Sequence, residues 1–349
     1  MTALPAGLQR TVEGIAREQR ADGCIPWFRG HHMDPWNMIE AAMALDVGGR
    51  HDEAERAYAY LASIQRRDGW WHAYYRDEVA VDPTMDTNVS AYIAVGVWHH
   101  LLATDDWAFF DRMWPVVERA VDAILEVQRP GGEIGWSRYP EPGNVESNAL
   151  VTCSSCTHLS LRCAIAAAEV LERERPDWEI SAGALARAVA HRPHAFQNKD
   201  RWSMDWYYPV LGGCLHGEAA AERIDARWDE FVVEGLGVRC VNDQDWVTGA
   251  ETCELAIALD AMGRTALARE VYGWIDHLRD DATGGYWTGA TFPDRELYPQ
   301  EQTTWSAGAV VLAYDALARE TRTSGIFRGE GLPAGLEVDE PVGDRRDRR

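Results

Sequence analysis

Carboxylates recur at one kind of place in this chain, the start of an apolar helical stretch. The phrases are HHMDPWN at 31–37, MDTN at 85–88, NVESN at 144–148, SMDWYY at 203–208, WVTGAE at 246–251 and QEQTTW at 300–305. Each supplies an acid at or within a first turn. Asp34 and Asp86 are also good N-caps, able to accept the unpaired amide protons of the turn they open, so capping alone would explain either one. Glu251 lies among Gly, Ala, Thr and Cys, where an unpaired charge is disfavoured and the protonated form is promoted. A protonated carboxyl is what a general acid needs, and a second, ionised one can serve as general base. Asp34, Asp86, Glu251 and Glu301 are therefore the candidate catalytic acids.

Aromatic residues gather near the same places. The phrase QRRDGWW at 65–71 returns as QRADGCIPWF at 19–28, QRPGGEIGWSRY at 128–139 and ATGGYWTGATF at 282–292. The 16 tryptophans exceed ordinary usage. Flat rings around a mouth can stack on the C–H faces of sugars or hold isoprenoid chains, and they can equally seal a core. Trp36, Trp71, Tyr74, Trp136, Trp206, Tyr207, Trp246 and Trp305 are the candidate stacking residues, with His32, Asn88, Asp205 and Gln302 as candidate hydroxyl binders. A structural role for His32, and packing of 203–208 as a plain helix start, remain open alternatives.

The elements that would position these groups follow from apolar periodicity. Amphipathic helices are predicted over 8–20, 51–66, 107–128, 180–196, 216–233 and 265–279. Between them lie stretches apolar nearly all round, at 34–47, 86–104, 147–172, 204–213, 246–262 and 302–318. A helix apolar on every face must be surrounded by protein. Six of each in strict alternation predicts an all-α fold, an (α/α)6 barrel with six inner helices shielded by six outer ones. Two hairpins align in letters, MIEAAMALDVGGRHDEAERAYAYL at 38–61 with TCELAIALDAMGRTALAREVYGWI at 252–275. The barrel is expected to occupy 1–321, with 322–349 a charged tail too poor in apolar residues to order itself.

Six inner axes about 10 Å apart put facing side chains about 8–10 Å from one another across the mouth. Inverting glycosidases need about 6.5–9.5 Å between their two carboxyls and retaining ones about 5–5.5 Å, so the dimensions suit inversion.

The run SAYIAVGVWHHLLATDDWAFFDRMWPVVERAVDAILEVQ at 90–128, above all its TDDWAFF and MWPVVERAVD pieces, resembles the matching hairpin of the glucoamylase-type inverting glycosidases and their (α/α)6 relatives. EQTTWSAGAVVLAYDAL at 301–317 is similar to the segment of that family in which a Glu-Gln pair bearing the catalytic base precedes a Thr-Trp-Ser helix. The resemblance covers about a quarter of the chain and implies Glu301 as base. The family's paired-Glu acid motif is missing: GWSRYP stands at 135–140, with Glu133, Glu141 and Glu146 the nearest acids. The acid is therefore sought at Glu251 or Asp34. The expected activity is inverting hydrolysis of an α-linked oligo- or polysaccharide of gluco or manno type, without cofactor or metal.

The rival readings are a terpene-type barrel, since QRRDGWW is similar to the Gln-Trp phrases of isoprenoid cyclases, another sugar barrel (epimerase or unsaturated-uronide hydrolase), and a non-catalytic glycan binder. No DxDD motif supports the first. A net charge of −22 disfavours nucleic acid and anionic uronides and suits a neutral ligand. No stretch approaches the about 20 apolar residues of a membrane span. The odd count of 7 cysteines and the lack of a basic, apolar leader point to a reducing, cytoplasmic setting. CSSC at 153–156 has redox or zinc spacing but no companion motif, and packing explains it better.

Overall fold

The computed structural model describes residues 4–139 and 148–333. The chain alternates between outer and inner helices. Outer α1 (Ala6–Glu18) leads to inner α2 (Pro35–Val47), and outer α3 (His51–Ile64) to an inner pair, α4 (Thr87–Ala91) and α5 (Ile93–Thr104), that runs on through Tyr92. Outer α6 (Trp107–Leu125) precedes inner α7 (Val151–Val170), and outer α8 (Pro176–His191) precedes inner α9 (Ser203–Leu211). Outer α10 (Gly217–Ala226) with the short α11 (Trp228–Phe231) precedes inner α12 (Gly249–Ala261), and outer α13 (Thr265–Gly273) precedes inner α14 (Thr304–Ala318). Each inner helix packs on the next, from α2 to α5, α7, α9, α12 and α14, and α14 returns to α2, which closes the ring. The chain is an (α/α)6 barrel, as its periodicity predicts. Burial shows why: every residue of α12 up to Asp260 is buried, whereas α3 buries one stripe (Ala54, Ala57, Tyr58, Tyr60, Leu61).

The repeated Gln-Gly phrase is a structural staple. The Gln65 amide donates to the carbonyls of Gly69 (3.1 Å) and of Val116 on α6 (2.9 Å), tying the loop after one outer helix to the next outer helix. Gln19 does the same to Gly23 and Glu53, and Gln128 to Gly132 and Ser181. Gly69 has φ +89, and a Cβ there would stand 2.3 Å from the Arg119 carbonyl oxygen, so both backbone conformation and contact demand glycine. The fourth copy closes the ring on α1, where the Thr11 hydroxyl donates to the Gly284 carbonyl at 2.7 Å. Gly69→Ala is expected to destabilise the fold by about 3 kcal/mol, read as a lower urea midpoint at unchanged m-value.

Two features depart from the sequence reading. Short strands ring the mouth: β1 (Tyr74–Arg76) pairs with β2 (Val79–Asp82), β3 (Met85–Asp86) with β4 (Ser137–Arg138), and β5 (Val232–Val233), β6 (Gly237–Arg239), β7 (Trp246–Thr248) and β8 (Gly289–Thr291) form an antiparallel sheet. Residues 232–233 and 246–248, expected to be helical, belong to that sheet. Strands of two or three residues are too short to leave a periodic signal. The expected tail also begins too early. Ile326, Phe327 and Leu332 are buried, Arg328 pairs with Asp260 at 2.7 Å, and the Arg162 guanidinium donates to the carbonyls of Leu332 and Pro333. Three apolar anchors suffice to dock an otherwise Gly-rich stretch against the barrel. Residues 334–349 lie outside the described residues.

Candidate active site

Inner helices meet neighbouring loops at their N-termini: the amides of Thr87, Ser203, Gly249 and Thr304 donate to the carbonyls of Trp136, Cys240, Thr288 and Trp27. These starts lie at one end of the barrel, where Asp34 and Asp86 act on one another. Asp34 is buried and caps α2, accepting from the Asn37 amide at 2.9 Å and from the Asn37 side chain. Burial pushes its carboxyl up to about 6 against those hydrogen bonds. Asp86 caps α4 through Val89 (3.1 Å) and is pushed up to about 6 by burial, with the charges of Asp34 and Asp82 adding to the rise. Both acids are thus caps and members of one electrostatic cluster. His32 stands 3.8 Å from Asp34, stacks on Trp27 (5.5 Å between ring centres) and meets Tyr74 edge-on at 4.7 Å. Burial lowers His32 to about 4, so at neutral pH it faces Asp34 uncharged. The Tyr74 phenol is raised by burial and then by the charges of Asp34 and Asp86, which places it over the pair.

Glu251, in the first turn of α12, is buried, and its Oε2 has no hydrogen-bond partner among the described residues. In the ring order α12 stands opposite α4 and two places from α2, so Glu251 begins a wall of the barrel across from the one that Asp34 and Asp86 begin. Asp205 of α9 is buried and raised by desolvation, with Thr152 donating to it at 3.3 Å. Asn88 keeps a buried Oδ1 without a partner among the described residues, next to Asp86. Trp36 and Trp305 meet at 6.0 Å, and Trp36 also packs on Tyr92 at 5.1 Å. Trp246 lies at the rim, its indole donating to the Tyr298 carbonyl at 2.5 Å, and the half-buried Trp136 carries the carbonyl that receives Thr87.

Other candidates stand elsewhere. Trp71 is core: its indole donates to the Leu61 carbonyl at 2.9 Å behind the inner helices. Trp206 points outward, stacked on Phe231 at 5.3 Å with its indole on the Arg223 carbonyl. Both are corrected from stacking to packing roles, because an inner helix has a back as well as a lumen face. Gln302 is a strap between Asp280 (2.8 Å) and Thr283 (2.8 Å). Glu301, by contrast, stays at the edge of the mouth: it accepts the indole of Trp27, the ring stacked on His32, at 2.9 Å, its charge acts on His32, and it also lines a cleft beside α1. Glu141 and Glu146 lie outside the described residues.

A deeper layer escaped the sequence reading. Glu40 accepts from Tyr92 at 3.0 Å, and Glu254, one turn below Glu251, accepts from Tyr208 at 2.9 Å and from Tyr207. The two glutamates flank an enclosed space of about 20 Å³ whose lining includes Trp36 and Phe327, room for about one water. Burial pushes Glu40 up to about 8 and raises Glu254 well above the usual carboxylate range, with the charge of Glu40 adding to the second shift. They occupy equivalent positions in the two aligned hairpins, the signal that could have found them. A folded-state value above the unfolded one means that stability is fully present below about pH 4.3 and is lost as pH rises through 8. Glu40→Gln removes that ionisation, so urea unfolding at pH 5, 7 and 9 is expected to show a flatter dependence than the wild type.

No protein-family model matches the chain. A curated relative from Mycolicibacterium hassiacum, an MMP endo-(1,4)-3-O-methyl-alpha-D-mannosidase, is 50% identical over 333 residues, covering 95% of this chain and 92% of the relative. Among solved structures, a wild-type glycosidase superposes with a TM-score of 0.71 at 17% identity, covering 89% of this chain and 96% of that one. A D-mannose isomerase gives 0.65 at 11% identity (91% and 100% covered), and an alpha-amylase from Clostridium perfringens 0.64 at 7% (90% and 99%). The structural likenesses establish the shared fold. Identity of one residue in two along nearly the whole of both chains establishes more: this chain belongs to the same family of glycoside hydrolases as the mycolicibacterial mannosidase, on an (α/α)6 barrel.

Proposed function

We propose that the barrel mouth is the active site of an inverting endo-hydrolase that cleaves α-(1→4) bonds within a 3-O-methylated mannan, with Glu251 as general acid and Asp34 as general base. Glu251 gives its proton to the departing glycosidic oxygen as the C1–O bond breaks. Asp34 takes a proton from the water that attacks C1 from the opposite face, and the new hydroxyl has the inverted configuration. Helices two places apart in a ring of six put facing side chains about 7–9 Å apart, which leaves room for that water. A carboxyl near 6 is mostly ionised at pH 7 and still basic enough to receive a proton. Trp36 and Trp305 supply apolar faces for sugar rings and methyl ethers, while Asn88 and Asp205 bind hydroxyls.

The observation that carries this reading is the meeting of buried acids at one mouth in a chain half identical to a named methylmannosidase. The net charge of −22 agrees with a neutral polymer as substrate. Among the described residues no helix is long and apolar enough to cross a membrane. All 7 cysteines are buried and unpaired, which favours a reducing, cytoplasmic setting. Residues up to Pro333 belong to one catalytic barrel in this reading. Mass spectrometry of products from a panel of 3-O-methylated mannan, plain α-mannan and α-glucan oligosaccharides tests it. Internal cleavage of the methylated mannan is expected to dominate. Cleavage of glucans alone, or release of terminal sugars alone, would overturn it.

A further inference from the structure

The axial funnel is blind. Glu40, Glu254 and Phe327 close it below, so a chain bound across the scissile point with sugars on both sides must leave over the rim. Beside α1 the rim opens into a second cleft of about 490 Å³, within the about 300–1,000 Å³ of small-molecule sites. The half-buried rings of Phe28 and Trp287 line it, with Ile15 behind them. Neither ring takes part in the chemistry above. Its charged lining residues balance, Arg17 and Arg29 against Glu18 and Glu301, which suits a neutral ligand better than an anion.

Contacting side chains link the cleft to the mouth. Trp36 meets Trp305 at 6.0 Å, Trp305 meets Trp27 at 5.6 Å, and the Trp27 indole donates to Glu301, which lines the cleft. Phe28 follows Trp27 directly and stacks on His31 at 4.5 Å. A row of rings therefore leads from the proposed reaction point to the second opening.

We propose that this cleft is an outlying saccharide subsite, holding a 3-O-methylated hexose of the same chain some residues away from the bond being cut. The inference rests on the reading of the mouth as a methylmannan hydrolase. Phe28 and Trp287 stack on the C–H face and methyl ether of the distal sugar, and the Arg17 side chain, which donates to the Thr283 carbonyl at 3.3 Å, borders its hydroxyls. The cleft thus selects for chain length and methylation, while the mouth selects the bond.

The test compares the wild type with a Phe28→Ala/Trp287→Ala double variant on long and on minimal 3-O-methylated α-(1→4)-mannan oligosaccharides. KM for the long chain is expected to rise about 10-fold, with kcat and all constants for the minimal chain unchanged. Phe28→Tyr and Trp287→Phe, which keep a ring, are expected to restore the long-chain KM, excluding a general folding defect. Equal effects at both lengths, or none at either, would overturn the inference while leaving the cleavage reading intact. Calorimetric titration of long methylated and unmethylated oligosaccharides into a Glu251→Gln background separates the two claims further. Tighter binding of the methylated chain, lost with the two rings, supports the subsite even if the wild type cleaves no mannan. Equal binding with and without the rings would sink it.

Discussion

Glu251→Gln is expected to lower kcat by about 10²–10⁴ with KM little changed, because the amide keeps the shape of the side chain but cannot give a proton to the leaving oxygen. Asp34→Asn is expected to do the same for a different reason, the loss of the group that receives the proton of water. Asn also caps helices, so this variant should fold normally, whereas Asp34→Ala would add about 0.5–2 kcal/mol of destabilisation from the lost cap. The wild type should lose kcat as pH falls through about 6, where Asp34 becomes protonated, and that acid limb should vanish in whatever activity Asp34→Asn retains. Glu301→Gln separates this assignment from the one implied by the glucoamylase resemblance. Because Glu301 holds the Trp27 indole and lines the outer cleft, its replacement is expected to raise KM and to leave kcat within about 10-fold.

The second large effect concerns stability at the opposite end of the barrel. Asp46 is buried near the end of α2 and accepts from His51 at 2.9 Å and from His100 at 2.9 Å, with His99 at 3.8 Å. Burial by itself would raise this carboxyl, but the hydrogen bonds from His100 and His51, with His99 close by, outweigh it and hold the group well below the usual carboxylate range. Asp46→Ala leaves the enclosed His100 without the carboxylate it bonds, frees His51, and is expected to lower unfolding free energy by about 3–5 kcal/mol, measured by urea unfolding at pH 7. The depressed value fixes the sign of the pH effect. The Asp46 contribution is fully present above about pH 3.9 and is lost as pH falls through its folded value, so wild type and variant should converge in strong acid.

The barrel was legible because a helix with no polar face has one stable environment, and six such stretches in alternation have few ways to close. The repeated Gln-Gly phrase was visible too, but its meaning was not. Its glutamines and glycines bind outer helices together, and of its rings Trp70 and Trp71 are core, whereas Trp27 reaches the mouth. Apolar rings are stabilised on either side of a loop, and letters do not say which side faces the lumen. The nearness of Asp34 and Asp86 could be foreseen because inner-helix starts point one way in an alternating barrel. Glu40 and Glu254 were hidden by position: one or two turns further in, a glutamate in an apolar run reads as part of the run. The sheet at the rim and the docked 326–332 segment were lost to shortness, since neither offers enough residues for a period.

The measurement that bears most directly on the central claim is the configuration of the sugar first released. Proton NMR of the purified enzyme acting on 3-O-methylated α-(1→4)-mannan, recorded before mutarotation equilibrates the products, should show the β-anomer at the new reducing end. Initial appearance of the α-anomer would contradict opposed carboxylates with water between them.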